Sequence, residues 1–116
     1  MANEICHFEV RALDTKVSSD FYAKVFGWEI APMEGMPTYA LTKAGEGVGG
    51  AISQEMYEGA NIMLYVHAED IEAKLKEIEA AGGKVVMPKT KISDEMGYFA
   101  FFTDPGGTPM GLFSEK

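Results

Sequence analysis

Residues 5–27 read ICHFEVRALDTKVSSDFYAKVFG, a strand pattern followed by a helix pattern. Apolar and polar side chains alternate through residues 5–11, as they do in a half-buried strand. Asp14 then occupies a position suited to a helix N-cap, and Gly27 stands where the helix can end. The stretch therefore predicts a strand over 5–11 and a helix over 15–26.

Each of these two predicted elements has an apolar face. The strand is expected to turn Cys6, Phe8 and Val10 toward the core and His7, Glu9 and Arg11 the other way. Along the helix, apolar side chains recur at the i, i+4, i+8 spacing of one helical face. They are Val17, Phe21 and Val25, with Tyr22 and Phe26 beside them.

The rest of the chain contains similar patterns between turn signals. The first half continues with predicted strands at 28–33, 38–43 and 48–54. The second half has a predicted strand at 62–67, a helix at about 69–81, a strand at 84–87, a polar loop at 88–97 and strands at 98–103 and 108–114. Both halves therefore have the order β-α-β-β-β.

An internal repeat relates the two halves. Val10 and Val66, Asp14 and Asp70, and Gly27 and Gly83 form pairs whose members are 56 residues apart. In the last strand of each half the offset shifts to about 60. Two copies are too few for a solenoid. We interpret residues 1–116 as a single domain of two modules, 1–56 and 57–116, which bury against each other around a cleft.

Composition narrows the classes of partner. The net charge of −8 disfavours nucleic acid and anionic membrane surfaces, because the summed field repels phosphate. Cys6 is the single cysteine, so no intrachain disulfide can form. The first ten residues lack a secretory signal pattern and no apolar run is long enough to span a bilayer. We expect a cytoplasmic protein.

Several motifs, taken in order, resemble the vicinal oxygen chelate superfamily, which includes glyoxalases, extradiol dioxygenases and bleomycin-resistance proteins. The motifs are HFEV at 7–10, FYAKVFGW at 21–28, EDI at 69–71 and DPGG at 104–107, while VMPK at 86–89 and GLF at 111–113 are most similar to small glyoxalase-related proteins of unassigned substrate. The resemblance implies an α+β fold in which two β-α-β-β-β modules form a curved mixed sheet. Its concave face would hold a ligand and, in the enzymes, a divalent metal.

The resemblance also implies where a metal would be held, with one ligand on the first strand and one on the last strand of each module. Those positions correspond to His7, Met63, Ala51 and Gly111. A thioether, a methyl group and a hydrogen do not bind a hard divalent ion, so His7 is the one retained ligand position. We expect no cofactor, although a weak metal site formed by His7, Glu9 and water stays open.

The polar candidates have plain interpretations beside the functional ones. His7 is either a hydrogen-bonded wall residue or an acid–base group paired with Glu9. Glu9 and Arg11 are interpreted first as solvated charges, although Glu9 beside an apolar wall could act as a base. His67, just before a helix, is expected to cap or to lie at the surface rather than to contact a ligand.

The expected cleft is lined mainly by apolar and aromatic side chains, as ligand pockets usually are. Gly111 would either leave room for a bulkier ligand or pack closely against the facing strand. Tyr39 is a further aromatic candidate, with core packing as the alternative. The candidate ligand-binding residues are His7, Glu9, Trp28, Ala51, Met63, Tyr65, His67, Tyr98, Gly111 and Phe113.

Three functions follow as hypotheses. The first is a glyoxalase/bleomycin-resistance-type protein that binds a small organic molecule without the usual metal site. The second is a lyase, isomerase or dioxygenase-like enzyme that uses catalytic His7 and Glu9 or an atypical metal site. The third is a dimeric interaction module; a homodimer is expected from the resemblance alone. Whether the chain is an enzyme stays open.

Overall fold

Within residues 2–116, the part of the chain that it describes, the computed structural model contains eight strands and two helices. The first five elements are β1 (Ile5–Arg11), α1 (Thr15–Phe26), β2 (Glu29–Met33), β3 (Met36–Lys43) and β4 (Gly50–Ser53). The next five are β5 (Ile62–His67), α2 (Ile71–Ala80), β6 (Lys84–Ser93), β7 (Gly97–Thr103) and β8 (Pro109–Ser114). The predicted α+β class and the order β-α-β-β-β in each half are confirmed.

The chain divides into two compact units, His7–Met63 and a second unit of residues 2–6 with Leu64–Lys116. In the first unit the strands lie in the order β2-β3-β4-β1, and β1 is parallel to β4 while the other pairs are antiparallel. The second unit has the matching order β6-β7-β8-β5, with β5 parallel to β8. The two units share one topology.

Strand register reproduces the internal repeat. Glu9 pairs with Ala51 in the first unit, and Tyr65 pairs with Gly111 in the second. The first-strand partners are therefore 56 residues apart and the last-strand partners are 60 apart, the two offsets found in the sequence. Residues that are equivalent by sequence thus occupy equivalent places in the two units.

The α2 helix covers the core of the second unit. Asp70 caps it by accepting a hydrogen bond from the Ala73 amide at 3.0 Å. Its apolar side chains face this core, since Ile71 and Leu75 are buried and Ile78 packs against the same cluster. Burial of such side chains stabilises the unit by about 1.5–3 kcal/mol each.

The α1 helix has the predicted caps but not the expected burial. The Asp14 carboxylate accepts from two first-turn amides, and Gly27 ends the helix in the left-handed conformation at φ 71°. The stripe Val17, Phe21 and Val25, however, is 66%, 56% and 55% exposed. A stripe of this spacing normally faces the core, but here the inward side of the helix presents Thr15, which is buried.

The predicted loop at 88–97 is wrong over its first six residues, because β6 continues to Ser93. Thr90 pairs with Phe99 and Lys91 with Tyr98. Pro88 lacks an amide donor, but β6 lies at the end of its unit's strand order and its register shifts between Met87 and Thr90, which is where proline is tolerated in a sheet. No helix in the described residues is long and apolar enough to cross a membrane.

Candidate functional site

Three side chains of the first unit form a hydrogen-bonded chain. The Tyr39 hydroxyl donates to Glu9 Oε2 at 2.8 Å, and His7 Nε2 lies 2.8 Å from the same hydroxyl. His7 Nε2 also lies 3.7 Å from Glu9 Oε2. The imidazole, the phenol and the carboxylate therefore meet at one point.

Strand geometry explains this meeting. His7 and Glu9 are two residues apart in β1, so their side chains leave the same face. Tyr39 lies in β3, and β4 separates β3 from β1. The phenol must therefore cross a strand, and on that strand Ala51, which pairs with both Glu9 and Leu41, offers only a methyl group. A small residue at 51 leaves room for the crossing.

Glu9 is buried, at 8% exposure. The interpretation of Glu9 as a solvated charge is therefore wrong, because its carboxylate is enclosed and hydrogen-bonded. The side chain of His7 retains 26% of its exposure. The chain of three thus has a buried end at Glu9 and a half-exposed end at His7.

Counting protons fixes the direction of the hydrogen bonds. A phenol has one proton, and Tyr39 donates it to Glu9. The contact between His7 and the Tyr39 oxygen therefore requires that His7 Nε2 donate. In a neutral ring this places the acceptor lone pair on Nδ1.

The Tyr39 phenol stays protonated. Burial raises its pKa far above the ordinary tyrosine value, and the negative charge of Glu9 and the hydrogen bond to it raise it further. A phenolate at this position would lie beside a carboxylate in a poorly hydrated place. Tyr39 is therefore a hydrogen-bond donor and not a base.

Arg11 lies on the same face of β1 but has a structural role. Its Nε donates to the Ala60 carbonyl at 2.7 Å, and its Nη2 donates to the Tyr57 carbonyl at 3.0 Å. Both acceptors belong to the segment before β5. The interpretation of Arg11 as a solvated charge is therefore also wrong.

In the second unit, the space expected at Gly111 is already filled. Tyr65 pairs with Gly111, is 7% exposed, and has its ring where a β-carbon on Gly111 would overlap it. The close-packing interpretation of Gly111 is correct, and the interpretation as room for a bulkier ligand is wrong. Tyr65 is the packing partner that makes glycine necessary.

The aromatic side chains of β7 divide between two faces. Tyr98 packs against the α2 core cluster, which corrects its expected place on the ligand face. Phe99 and Phe101 lie on the other face, with ring centroids 5.1 Å apart, and Phe101 lies 6.1 Å from Tyr65. Sequence reasoning missed both phenylalanines, although the alternation of β7 with Ala100 in the core would have found them.

Trp28 also lies away from the candidate site. Its ring stacks on Tyr22 of α1 at 5.1 Å with an interplanar angle of 9°, and it contacts Phe26 and Phe8. Phe8 alternates with His7 and Glu9 along β1. Trp28 therefore packs under α1 rather than on the face that holds the hydrogen-bonded chain.

His67 contacts Glu115 and Phe113 near the C-terminus. Its Nε2 lies 2.7 Å from Glu115 Oε1, and its ring lies 6.4 Å from that of Phe113. The hydrogen bond to His67 is the main cause that lowers the pKa of the exposed Glu115 carboxyl. His67 Nδ1 is buried without a hydrogen-bond partner.

A family model for the glyoxalase/bleomycin resistance protein/dioxygenase superfamily matches residues 4–110. The chain belongs to this superfamily. A Mycobacterium tuberculosis relative named "Putative glyoxylase CFP32" is 30% identical over 115 residues, a match that spans 90% of this chain and 43% of the relative. The chain thus spans less than half the length of this curated relative.

Solved structures of the superfamily fold superpose well. Hypothetical protein BH1468 of Bacillus halodurans C-125 matches with a TM-score of 0.78 and 16% identity, over 100% of this chain and 96% of that one. Methylmalonyl-CoA epimerase from Mycobacterium tuberculosis matches with a TM-score of 0.67 and 14% identity, over 97% of this chain and 87% of that one. At these identities the likeness shows the fold alone.

The superfamily's metal positions can now be compared with the residues present. Ala51 and Met63 are buried side chains without an oxygen or nitrogen donor, and Gly111 lies under the Tyr65 ring. His7 is the one position of the four with a suitable donor. No cluster of three His, Cys, Asp or Glu side chains that could hold a metal occurs in residues 2–116. These four positions do not fit a divalent metal ion.

Proposed function

We propose that this superfamily member binds a small organic molecule at His7, on the face shaped by Tyr39 and Glu9, and does so without the superfamily's four-ligand metal site. The observation that carries the proposal is the hydrogen-bonded chain of a half-exposed imidazole, a neutral phenol and a buried carboxylate. These hydrogen bonds fix the orientation of the His7 ring and so prepare it to bind a ligand.

The energetic cost of burying Glu9 supports a functional role for the three hydrogen-bonded side chains. A buried carboxylate has an effective desolvation penalty of several kcal/mol, and a hydrogen bond to a charged group returns about 1.5–3 kcal/mol. An apolar side chain at position 9 would avoid the penalty. Buried charges arranged around a partly accessible histidine are typical of binding and catalytic sites.

The chemistry of the ligand follows from the groups on this face. His7 can hydrogen-bond a polar group, and the Glu9 carboxylate lies 3.7 Å from its Nε2. A protonated His7 would bind a carboxylate or an enolate oxygen, while a neutral ring would accept a hydrogen bond through Nδ1. The proposed ligand is a small organic molecule with a carbonyl or carboxyl group.

Proton transfer on such a ligand is a second candidate function, favoured by the fixed hydrogen-bond direction. Because Nε2 donates to Tyr39, a proton removed from a carbon beside a carbonyl would go to Nδ1. The C–H electron pair would remain on the ligand as an enolate, and the imidazolium would be stabilised by Glu9. If the enolate turned over before Nδ1 returned the proton, delivery to the opposite face of the carbon would complete an epimerisation, whereas return to the original face would regenerate the ligand.

Nitrogen-15 NMR of the histidine rings tests the proposed site. We expect His7 to show the Nε2–H tautomer, and small carbonyl and carboxylate compounds to shift its signals. Tyr39→Phe should release the tautomer and weaken those shifts, while the control variant His67→Ala should leave the shifts unchanged. Ligands that shift only signals far from His7, Glu9 and Tyr39 would contradict the proposal.

Metal titration tests the other half of the proposal. Zn²⁺, Ni²⁺, Mn²⁺ and Fe²⁺ should raise the melting temperature no more for the wild-type chain than for His7→Ala. An equimolar metal that is retained through purification and lost in His7→Ala would contradict the proposal that the site binds no metal.

A further inference from the structure

Residues 54–61, which connect β4 to β5, begin with hydrogen bonds to two strands of the sheet. The hydroxyl of Ser53, the last residue of β4, donates to the Glu55 carbonyl at 3.0 Å and accepts from the Glu55 amide at 3.1 Å. The Glu55 carboxylate accepts from the Thr38 hydroxyl of β3 at 3.0 Å. We call residues 54–61 the strap, and its first turn is bonded to β4 and β3.

The end of the strap is bonded to β1. The Arg11 amide donates to the Asn61 carbonyl at 2.8 Å. The Arg11 guanidinium donates to the carbonyls of Tyr57 and Ala60, and Ala60 is buried. The strap is therefore hydrogen-bonded to β1, β3 and β4, the same three strands that build the site around His7.

One row of the sheet connects these hydrogen bonds to the site. Ser53 pairs with Arg11 of β1 on one side and with Tyr39 of β3 on the other. Side chains of residues that pair across neighbouring strands leave the same face of a sheet. Arg11, Ser53 and Tyr39 therefore lie side by side. The phenol that bonds Glu9 and His7 starts from the row of residues that holds the strap.

We propose that Arg11 and Ser53 are positioning residues for the His7 site. By holding the strap they fix the row from which Tyr39 reaches Glu9, and through Tyr39 they set the orientation of His7. Ser53 is 1% exposed, and a close-packed place of this kind cannot absorb a shift without moving its paired neighbours. The inference rests on the proposed function, because it assigns the residues that control the orientation of His7.

Coupling of this kind acts in both directions, since the free energy that links two places is reciprocal. A loosened strap should change the state of the His7 ring. Loss of the Tyr39 hydroxyl should in turn loosen the strap. A connection that only joins two strands would show neither effect, because its hydrogen bonds would be independent of the His7 ring.

Nitrogen-15 NMR of the ligand-free full chain measures the first direction. Ser53→Ala removes both hydrogen bonds of that hydroxyl, and we expect it to shift the His7 ring signals and to lower the fraction of the Nε2–H tautomer. Arg11→Lys should have the same effect. Ser93→Ala is the matched control, since Ser93 also ends a strand and its hydroxyl accepts from the Met96 amide at 2.9 Å, but it belongs to the other unit.

Hydrogen exchange of the ligand-free chain measures the second direction. Tyr39→Phe should accelerate exchange of the Ala60 amide about twofold or more, as coupling between linked sites does. Gly111→Ala, whose new methyl group would overlap the Tyr65 ring, is the control for a general loss of stability. It should leave the Ala60 rate unchanged.

Two outcomes would overturn this inference. One is a set of His7 signals that stays unchanged in both Ser53→Ala and Arg11→Lys. The other is an Ala60 exchange rate that Tyr39→Phe does not alter, or that Gly111→Ala raises equally. Both measurements are made without a ligand, so a negative result here is separate from a failure of His7 to bind carbonyl or carboxylate compounds.

Discussion

The hydroxyl of Tyr39 donates to the buried carboxylate of Glu9 at 2.8 Å, across an intervening strand. This bond satisfies a charge that has left water, and it sets the proton of Tyr39 so that His7 must donate in turn. The state of the half-exposed histidine therefore depends on a phenol on β3, 32 residues further along the chain.

Removing the Tyr39 hydroxyl should destabilise the protein. We expect Tyr39→Phe to lower the free energy of unfolding by about 1–3 kcal/mol, because Glu9 loses a partner while it stays buried. Urea unfolding followed by circular dichroism measures the change. Tyr22→Phe, which keeps the ring that stacks on Trp28, is the control and should change stability by less than about 0.5 kcal/mol. Equal effects of the two variants would contradict this role for Tyr39.

Stability should fall at alkaline pH in a way that depends on Tyr39. The folded state holds the Tyr39 proton more tightly than the unfolded state, so this contribution is fully present below about pH 10 and is lost as the pH rises toward the raised folded pKa. The slope of unfolding free energy against pH above about 10 should be shallower in Tyr39→Phe than in the wild type. Identical slopes would show that the folded state does not hold the Tyr39 proton more tightly than the unfolded state does.

Filling the space at Gly111 should damage the second unit. Gly111→Ala should cost about 1–3 kcal/mol, because the new methyl group overlaps the Tyr65 ring. Gly47→Ala is the matched control, since a β-carbon there would meet nothing within 4 Å. In a double-mutant cycle, Tyr65→Ala should remove most of the penalty of Gly111→Ala. Additive effects would contradict the overlap.

The guanidinium of Arg11 should hold the segment before β5. Arg11→Lys keeps the charge but loses the planar group that reaches the carbonyls of Ala60 and Tyr57 together. Hydrogen exchange at the Ala60 amide, which bonds the Tyr57 carbonyl at 3.0 Å, should accelerate. Amides of β7 should exchange at unchanged rates, and an unchanged Ala60 rate would contradict this anchoring.

The repeat, the class and most element boundaries could be predicted because they depend on local signals. β1 and β5 begin and end at the predicted residues, and both aspartate caps lie where alternation gives way to helical spacing. The extension of β6 past Pro88 could not be predicted locally, since it depends on pairing with β7. Alternation also could not show which side of β1 is better buried.

The candidate site was predicted only in part. Parity alone placed His7 and Glu9 on one face, but the partner that joins them comes from β3, and only the strand order reveals that Tyr39 can reach them. The burial of Glu9 depends on the same neighbours. The exposure of Val17, Phe21 and Val25 on α1 could not be predicted either, because their spacing is that of a core-facing helix and the sequence does not state which surface covers them.

The Tyr65 ring over Gly111 has a consequence for how this chain can evolve. A lineage that needed a carboxylate at position 111 could not gain it by one substitution, because the side chain would meet the ring before it could bind anything. Two substitutions would be required, one at Gly111 and one that removes the Tyr65 ring. Removal of the Tyr65 ring by itself would leave a cavity in a packed unit. A metal-binding carboxylate at position 111 therefore requires a second substitution at Tyr65.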